Sequence, residues 1–238
     1  MPQELAIAVV VVIAALAIAL GYLAYRAEQQ RKAELEQLAR QRGWQWDPSY
    51  DYSHDERFGH FAVFNRGKSR YAYNTLRGAV EVDGAAWPVQ LGDYHYETTS
   101  HDGKRTRTHH HRLSYVLVEM PFGATPDLYI RAENFLDRIA EFIGFDDIDF
   151  ESAEFSRRFI VKSRDKRFAY DVIHPPMMEF LLAGKPPTIE LGRGCCCLTR
   201  GEGVWKPAEF ELTADWARQF FERWPRHLLT QLSAGPTT

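Results

Sequence analysis

From Leu5 to Tyr25 the chain is apolar without interruption, and no charged residue, Asn, Gln, Ser or Thr breaks the run. About 20 residues suffice to cross the hydrocarbon core of a bilayer as a helix. Inside lipid every backbone polar group must be paired within its own segment, so a spanning run of this kind is helical. Tyr22 and Tyr25 lie at its C-terminal end, where amphipathic rings favour the headgroup level. A cleaved signal peptide would instead show a basic leader, a shorter apolar core and a small-residue cleavage site. The flank Met1-Pro2-Gln3-Glu4 carries no Lys or Arg. The expectation is one membrane-spanning helix over residues 5–25, and the membrane is the first partner of the chain.

Flanking cations set the direction. None precedes the run, whereas Arg26, Arg31, Lys32, Arg40 and Arg42 follow it. Lys and Arg beside a span are retained on the cytoplasmic side. The expected placement is the cell (inner) membrane, with a short N-terminal stub outside and the C-terminal part cytoplasmic. The only cysteines are Cys195, Cys196 and Cys197, adjacent in sequence. Neighbouring cysteines rarely bridge each other, so they form no disulfide framework and fit a reducing compartment.

Residues 26–43 are rich in Ala, Glu, Gln, Lys, Arg and Leu, good helix formers. Glu28 and Lys32, and Glu36 and Arg40, are spaced i,i+4 in the favourable order, and Gly43 is placed to end the helix. A juxtamembrane helical stalk is expected here. Its apolar residues Leu35, Leu38 and Ala39 are too few for a coiled coil.

Residues 44–232 read as one α+β domain with a mainly antiparallel sheet and about three helices, followed by a tail over 233–238. Its polarity is ordinary, at 45% hydrophobic and 26% charged residues over the 238-residue chain, which gives it a core of its own. Strands are expected over residues 70–76, 86–98, 108–120 and 128–131. Asp102-Gly103 marks the turn of the long hairpin. Trp87, Val89 and Leu91 share one parity while Tyr94 and Tyr96 have the other, so a β-bulge is expected at Gly92. Strands are also expected over 158–162, 168–173, 189–191 and 195–199. Helices are expected over 133–143, from Pro175 to Leu182, and from about Thr213 to Trp224, with Pro225 as a kink or a new start.

The stretch Phe155-x-x-x-Phe159-x-Val161-x-Ser163-x-Asp165, then Ala169-Tyr170, then Pro175-x-Met177-Met178, carries a recognisable pattern. It resembles a bacterial family of uncharacterised single-pass membrane proteins that carry a domain of unknown function. The resemblance spans residues 76–191 and implies the same architecture without implying a chemistry. Read as residues, Phe155, Phe159 and Val161 would pack a strand on the core and Asp165 would sit in a hairpin turn.

The densest chemistry-bearing segment is the hairpin from Ser100 to Arg112. His109, His110 and His111, with His101 and His95 nearby in sequence, form its His cluster; His109 and His111 share a parity that would bring both to one strand face, with His95 or His101 able to approach from the partner strand, and these two are the candidate metal ligands, since imidazole suits Zn, Cu, Ni or Fe. Lys104, Arg105, Arg107 and Arg112 are the candidate contacts to anionic lipid or to an acidic protein. Net charge is −3, so no overall basic field draws nucleic acid. The acidic run Asp146, Asp147, Asp149, Glu151 and Glu154 lacks the spacing of a calcium loop, and the chain has no phosphate loop, nucleophile elbow or zinc-protease motif. No catalytic residue and no cofactor is assigned. The expected function is a membrane-anchored interaction or recruitment module; the alternative is a small membrane-tethered hydrolase or metal-dependent enzyme with a dispersed site.

Overall fold

The structure, a computed structural model, describes residues 3–103, 105–133 and 147–234. The helix expected over 133–143 and most of the 233–238 tail lie outside these residues.

Helix α1 (Gln3–Arg42) is continuous from the apolar run into the domain, and it is long and apolar enough to cross a membrane. From Ile7 to Tyr25 its side chains are exposed, as a lipid-facing segment requires. The sequence signals for its end hold. Gly43 takes φ +66°, the Trp44 N–H donates to the Ala39 carbonyl (2.8 Å) and the Gly43 N–H to that of Arg40 (3.4 Å). That pair of bonds around a left-handed glycine is the Schellman ending. One face of the last turns is not solvated, however: Leu35, Leu38 and Ala39 are buried in the core.

The domain is built on one eight-stranded sheet. Its strands are β1 (Gln45–Asp47), β2 (Lys68–Val82), β3 (Ala85–Asp102), β4 (Arg105–Glu119), β5 (Leu128–Ala132), β6 (Phe159–Ser163), β7 (Thr188–Gly192) and β8 (Cys195–Thr199). They lie in the order β1-β2-β3-β4-β8-β7-β5-β6, and every neighbouring pair is antiparallel. The β2–β3 and β7–β8 turns, Asp83-Gly84 and Arg193-Gly194, have positive φ at both central residues. Such turns match the right-handed twist of the flanking strands.

Both sheet faces are covered. On one, the end of α1 packs with α3 (Ala153–Arg158), α4 (Lys166–Val172), α5 (Pro175–Leu182), α6 (Pro207–Phe221) and α7 (Arg226–Ala234) around Leu76, Val89, Leu91, Val116 and Val118. On the other, α2 (His54–Phe58) and a 3-10 turn (Ala62–Asn65) lay Phe58, Phe61 and Phe64 over Tyr94, Tyr96, Tyr115 and Leu117. This second cover explains the parity of β3. Trp87, Val89 and Leu91 face the helices and Tyr94 and Tyr96 face the lid, which is plain alternation between two buried faces.

Several expectations are corrected. The bulge lies in β2, not at Gly92: Tyr73 pairs with Asp93 and Leu76 with Leu91, so β2 carries the extra residue, with Asn74 at φ +51°. The expected strand over 168–173 is helix α4, because Asp165 caps it (Phe168 N–H to Oδ1, 2.9 Å) and Phe168, Ala169 and Val172 are buried at helical spacing. Asp165 is thus a helix cap and not a hairpin-turn residue, and Phe155 sits in α3 rather than in a strand. Seven α-helices are present among the described residues, against about three expected. Those missed are five to nine residues long and show too few turns for a period to be read. Helix α6 starts earlier than expected, at Pro207, where the Glu209 side chain accepts from the Lys206 N–H (2.7 Å), and Pro225 separates it from α7.

Candidate functional site

The site is defined by how α1 meets the sheet. Trp44 lies over Gly78, where an added Cβ would fall 1.9 Å from the indole, and Gly78 is paired with Val89. Further toward the apolar end of α1, Arg31 reaches Asp93. Moving up α1 toward its apolar run is therefore moving along β3 toward its C-terminal end. From Asp93 to Asp102 the strand extends about 30 Å further at about 3.3 Å per residue. The β3–β4 hairpin thus runs on the same side of the domain as the apolar run.

Asp93 is fully buried and has its charge met on several sides. Arg31 donates to it from both Nη2 (2.8 Å to Oδ1) and Nε (3.3 Å to Oδ2), Asn74 donates through Nδ2 (3.1 Å), and Ser114 through Oγ (2.5 Å). Arg31 also donates to the Trp205 carbonyl, and the Trp205 N–H donates to Ser114 Oγ (2.8 Å). A buried carboxylate is tolerated when it is paired and hydrogen-bonded in this way. The network locks the helix that leaves the apolar run to the centre of the sheet.

One residue pair outward from Asp93, a groove of about 610 Å³ opens between α1 and the sheet. Tyr25, Lys32, Tyr71, Tyr73 and Arg112 line it, as does Asn74, whose Oδ1 is buried and without a hydrogen-bond partner among the described residues. Burial pushes the Tyr73 hydroxyl well above its ordinary range and raises that of Tyr71, so both remain neutral donors. Lys32 is already paired with Glu28 at the groove wall (2.8 Å), so Arg112, the neutral hydroxyls and the unmet amide acceptor are the groups that suit an anionic headgroup carrying hydroxyls.

The hairpin distributes its charged residues between two faces. Arg105 and Arg107 are exposed near the tip, Arg112 faces the groove, and Lys104 lies outside the described residues. His109 and His111 share a face as their parity requires, but each is bonded to a strand neighbour. His109 Nε2 lies 3.1 Å from Ser100 Oγ. His111 is 2.7 Å from Thr98 Oγ1 and 2.6 Å from Glu202 Oε1, and it stacks on Tyr96. The groups that do converge are on the opposite face: His95, Glu97 and His110, with His95 Nε2 3.2 Å from His110 Nδ1. His110 belongs to the His cluster that the sequence shows, but without the register its partner Glu97 is not visible and His95 is wrongly grouped with His109 and His111. The Asp102-Gly103 turn pairs Asp102 with Arg105, and counting back along both strands places Glu97 opposite His110.

The cysteines occupy both faces of β8. Cys196 lies in the helix-side core and Cys197 in the lid-side core, with Cys195 packed against the latter. All three are unpaired thiols. Burial pushes Cys195 up to about 11 and holds Cys196 and Cys197 well above the usual thiol range. A nucleophilic cysteine has the opposite character, a lowered pKa in a partly exposed, electropositive setting.

Neither a protein-family profile nor a curated protein sequence matches the chain. In fold it is similar to the crystal structure of the mycobacterial trehalose monomycolate transport factor A, TtfA. The two share 10% sequence identity at a TM-score of 0.55, over 82% of this chain and 96% of that one. A likeness at this identity is a likeness of fold.

Proposed function

We propose that this chain is a single-pass protein of the inner membrane whose cytoplasmic α+β domain is a non-enzymatic interaction module. The domain sits close under the bilayer and reads anionic lipid headgroups with its hairpin and groove. The observation that carries this reading is the direction of the β3–β4 hairpin, which runs toward the apolar end of α1 and carries Arg105, Arg107 and Arg112 with it. A cation near an anionic leaflet contributes about 1 kcal/mol, and tethering supplies the effective concentration that such weak contacts lack. The name of the structural neighbour suggests a setting. A protein of this fold is called a transport factor for an acylated sugar, and we place this chain likewise beside lipid traffic, as an accessory rather than as the catalyst.

The test uses the full chain in nanodiscs, with a fluorophore at Thr106→Cys and, as control, at Glu81→Cys near the β2–β3 turn. Cys196 and Cys197 are buried and Cys195 is half-buried, so labelling is kept brief and the unsubstituted chain, labelled in parallel, supplies the background. Headgroup-attached quenchers should quench the Thr106 label strongly in discs containing phosphatidylglycerol and the Glu81 label weakly. Replacing Arg105 and Arg107 by Ser should reduce the quenching at Thr106 without lowering the melting temperature, since both are exposed and exposed charges contribute little to stability. Equal quenching at the two positions would overturn the reading.

A further inference from the structure

Beyond that reading, and on residues it does not use, we propose that His95, Glu97 and His110 form a binding site for a divalent transition-metal ion of the zinc class at the root of the β3–β4 hairpin.

Spacing is the first support. In a tetrahedral zinc site with bonds of about 2.0 to 2.1 Å the ligand atoms lie about 3.4 Å apart. Here His95 Nε2 and His110 Nδ1 are 3.2 Å apart, and His110 Nδ1 and Glu97 Oε1 are 3.5 Å apart. The three ligand atoms all fall within 4.8 Å of one another. The strand register holds them there: Glu97 is paired directly with His110, and His95 precedes Glu97 by two, on the same face of β3.

The second support is what stands behind the ligands. Ser69 contacts two of the three. Its carbonyl lies 3.1 Å from His95 Nδ1, and its hydroxyl donates to Glu97 Oε2 (3.0 Å). A carbonyl only accepts, so the His95 proton sits on Nδ1 and the lone pair on Nε2, which faces the other two ligands. Metal-binding histidines are oriented by such a bond from the distal nitrogen. Ser69 reaches both because it occupies a β-bulge, between the Lys68–Glu97 and Tyr71–His95 pairs, with φ +53°. A non-glycine residue in that conformation is held there by its surroundings and marks a specialised position. Tyr71 stacks on the His95 ring at 4.5 Å between centroids and fixes its plane.

Nitrogen and carboxylate donors in this number suit Zn²⁺, with Cu²⁺ and Ni²⁺ as competitors, and leave a fourth position for water or a partner's ligand. On binding, the His110 proton moves to Nε2 so that Nδ1 offers its lone pair, and no net proton is required. The metal would tie the two strands together where the hairpin leaves the body of the domain.

The experiment titrates Zn²⁺ alone into the full chain in detergent micelles after chelator treatment, by calorimetry, and repeats it with Co²⁺ by absorption. One equivalent should bind, with Co²⁺ giving tetrahedral ligand-field bands. His110→Ala and Glu97→Gln lie at exposed or half-buried positions and should each weaken binding at least about tenfold. Ser69→Gly keeps the carbonyl, suits the left-handed backbone, removes the hydroxymethyl group that holds Glu97, and should weaken binding about tenfold with folding intact. His109→Ala should change nothing. Wild-type binding no stronger than that of the His110→Ala variant would overturn the site and leave the His95–His110 contact as a hydrogen bond. Loss of binding in His109→Ala, with retention in His110→Ala, would also overturn it.

Discussion

His54 shows what burial alone does to a side chain here. It is fully buried on the lid side of the sheet, with its ring 4.6 Å from that of Phe64 and 4.9 Å from those of Phe58 and Tyr115. Desolvation outweighs the nearby Asp51 charge and lowers its pKa to about 3. In the unfolded chain the ring protonates near pH 6.5. Between these values the unfolded state binds a proton that the native state refuses, so stability falls as pH drops below about 6.5, with a slope of about 1 kcal/mol per pH unit from this residue. Denaturant midpoints at pH 7 and pH 5 should differ for the wild type, and His54→Phe should remove most of that difference. An unchanged slope in the variant would refute the assignment. The cysteines follow the same logic. Cys196 and Cys197, buried and with raised pKa, should react with a thiol reagent only after denaturation, and Cys195 slowly before it. Fast labelling of all three in the native protein would contradict their packing. The adjacency of the three cysteines already excludes a disulfide framework from sequence alone, but His54 carries no sequence signal, since its cage is assembled from α2, the 3-10 turn, β3 and β4.

At the scale of elements, α1 belongs to two environments. Its first part faces outward from Ile7 to Tyr25, while Leu35, Leu38, Ala39 and the residue after its cap, Trp44, pack on the sheet. A chain begun at Gly43 loses three core side chains and the partner of buried Asp93. A chain begun at Arg26 keeps them. The longer chain should melt cooperatively, and the shorter should be less stable by about 5 kcal/mol or fail to fold, since a buried carboxylate stripped of its partner costs about 3 to 5 kcal/mol by itself. Calorimetry of the two would decide it, and equal melting temperatures would show the helix end to be dispensable. Within the longer chain, Arg31→Ala should cost about 3 kcal/mol, and Arg31→Met combined with Asp93→Asn should cost less than the two single changes together. The existence of α1, its glycine ending and the long antiparallel hairpin were legible, because each rests on a local signal: an apolar run, a left-handed Gly, an Asp-Gly turn. The packing of the helix end on the domain was not, because Leu35, Leu38 and Ala39 look sparse until the sheet that buries them is known. The site suffered most. Asn74 and Ser69 are brought to Asp93 and Glu97 of β3 by two bulges in β2, and a bulge shifts register in a way that composition does not announce.

For the whole molecule the governing question is which way it sits in the membrane. The five cations that follow the span are not all free to act as a topogenic signal once the domain is folded. Arg31 is locked to Asp93, Arg42 pairs with Glu211 and Asp215, and Lys32 and Arg40 pair with Glu28 and Glu36 on α1 itself. Orientation is chosen during insertion, before these pairs exist, so the Lys and Arg bias within the first turns beyond the span still applies. A fluorescent protein fused after Thr238 should therefore glow, and alkaline phosphatase at the same position should stay inactive. Replacing Arg26, Arg40 and Arg42 by Gln should shift a measurable fraction of an alkaline phosphatase fusion to the active state, since three of the five cations are then gone while Arg31 and the core are spared. An active phosphatase fusion on the unaltered chain would place the domain outside. It would also remove the anionic cytoplasmic leaflet from consideration as the surface that the hairpin meets.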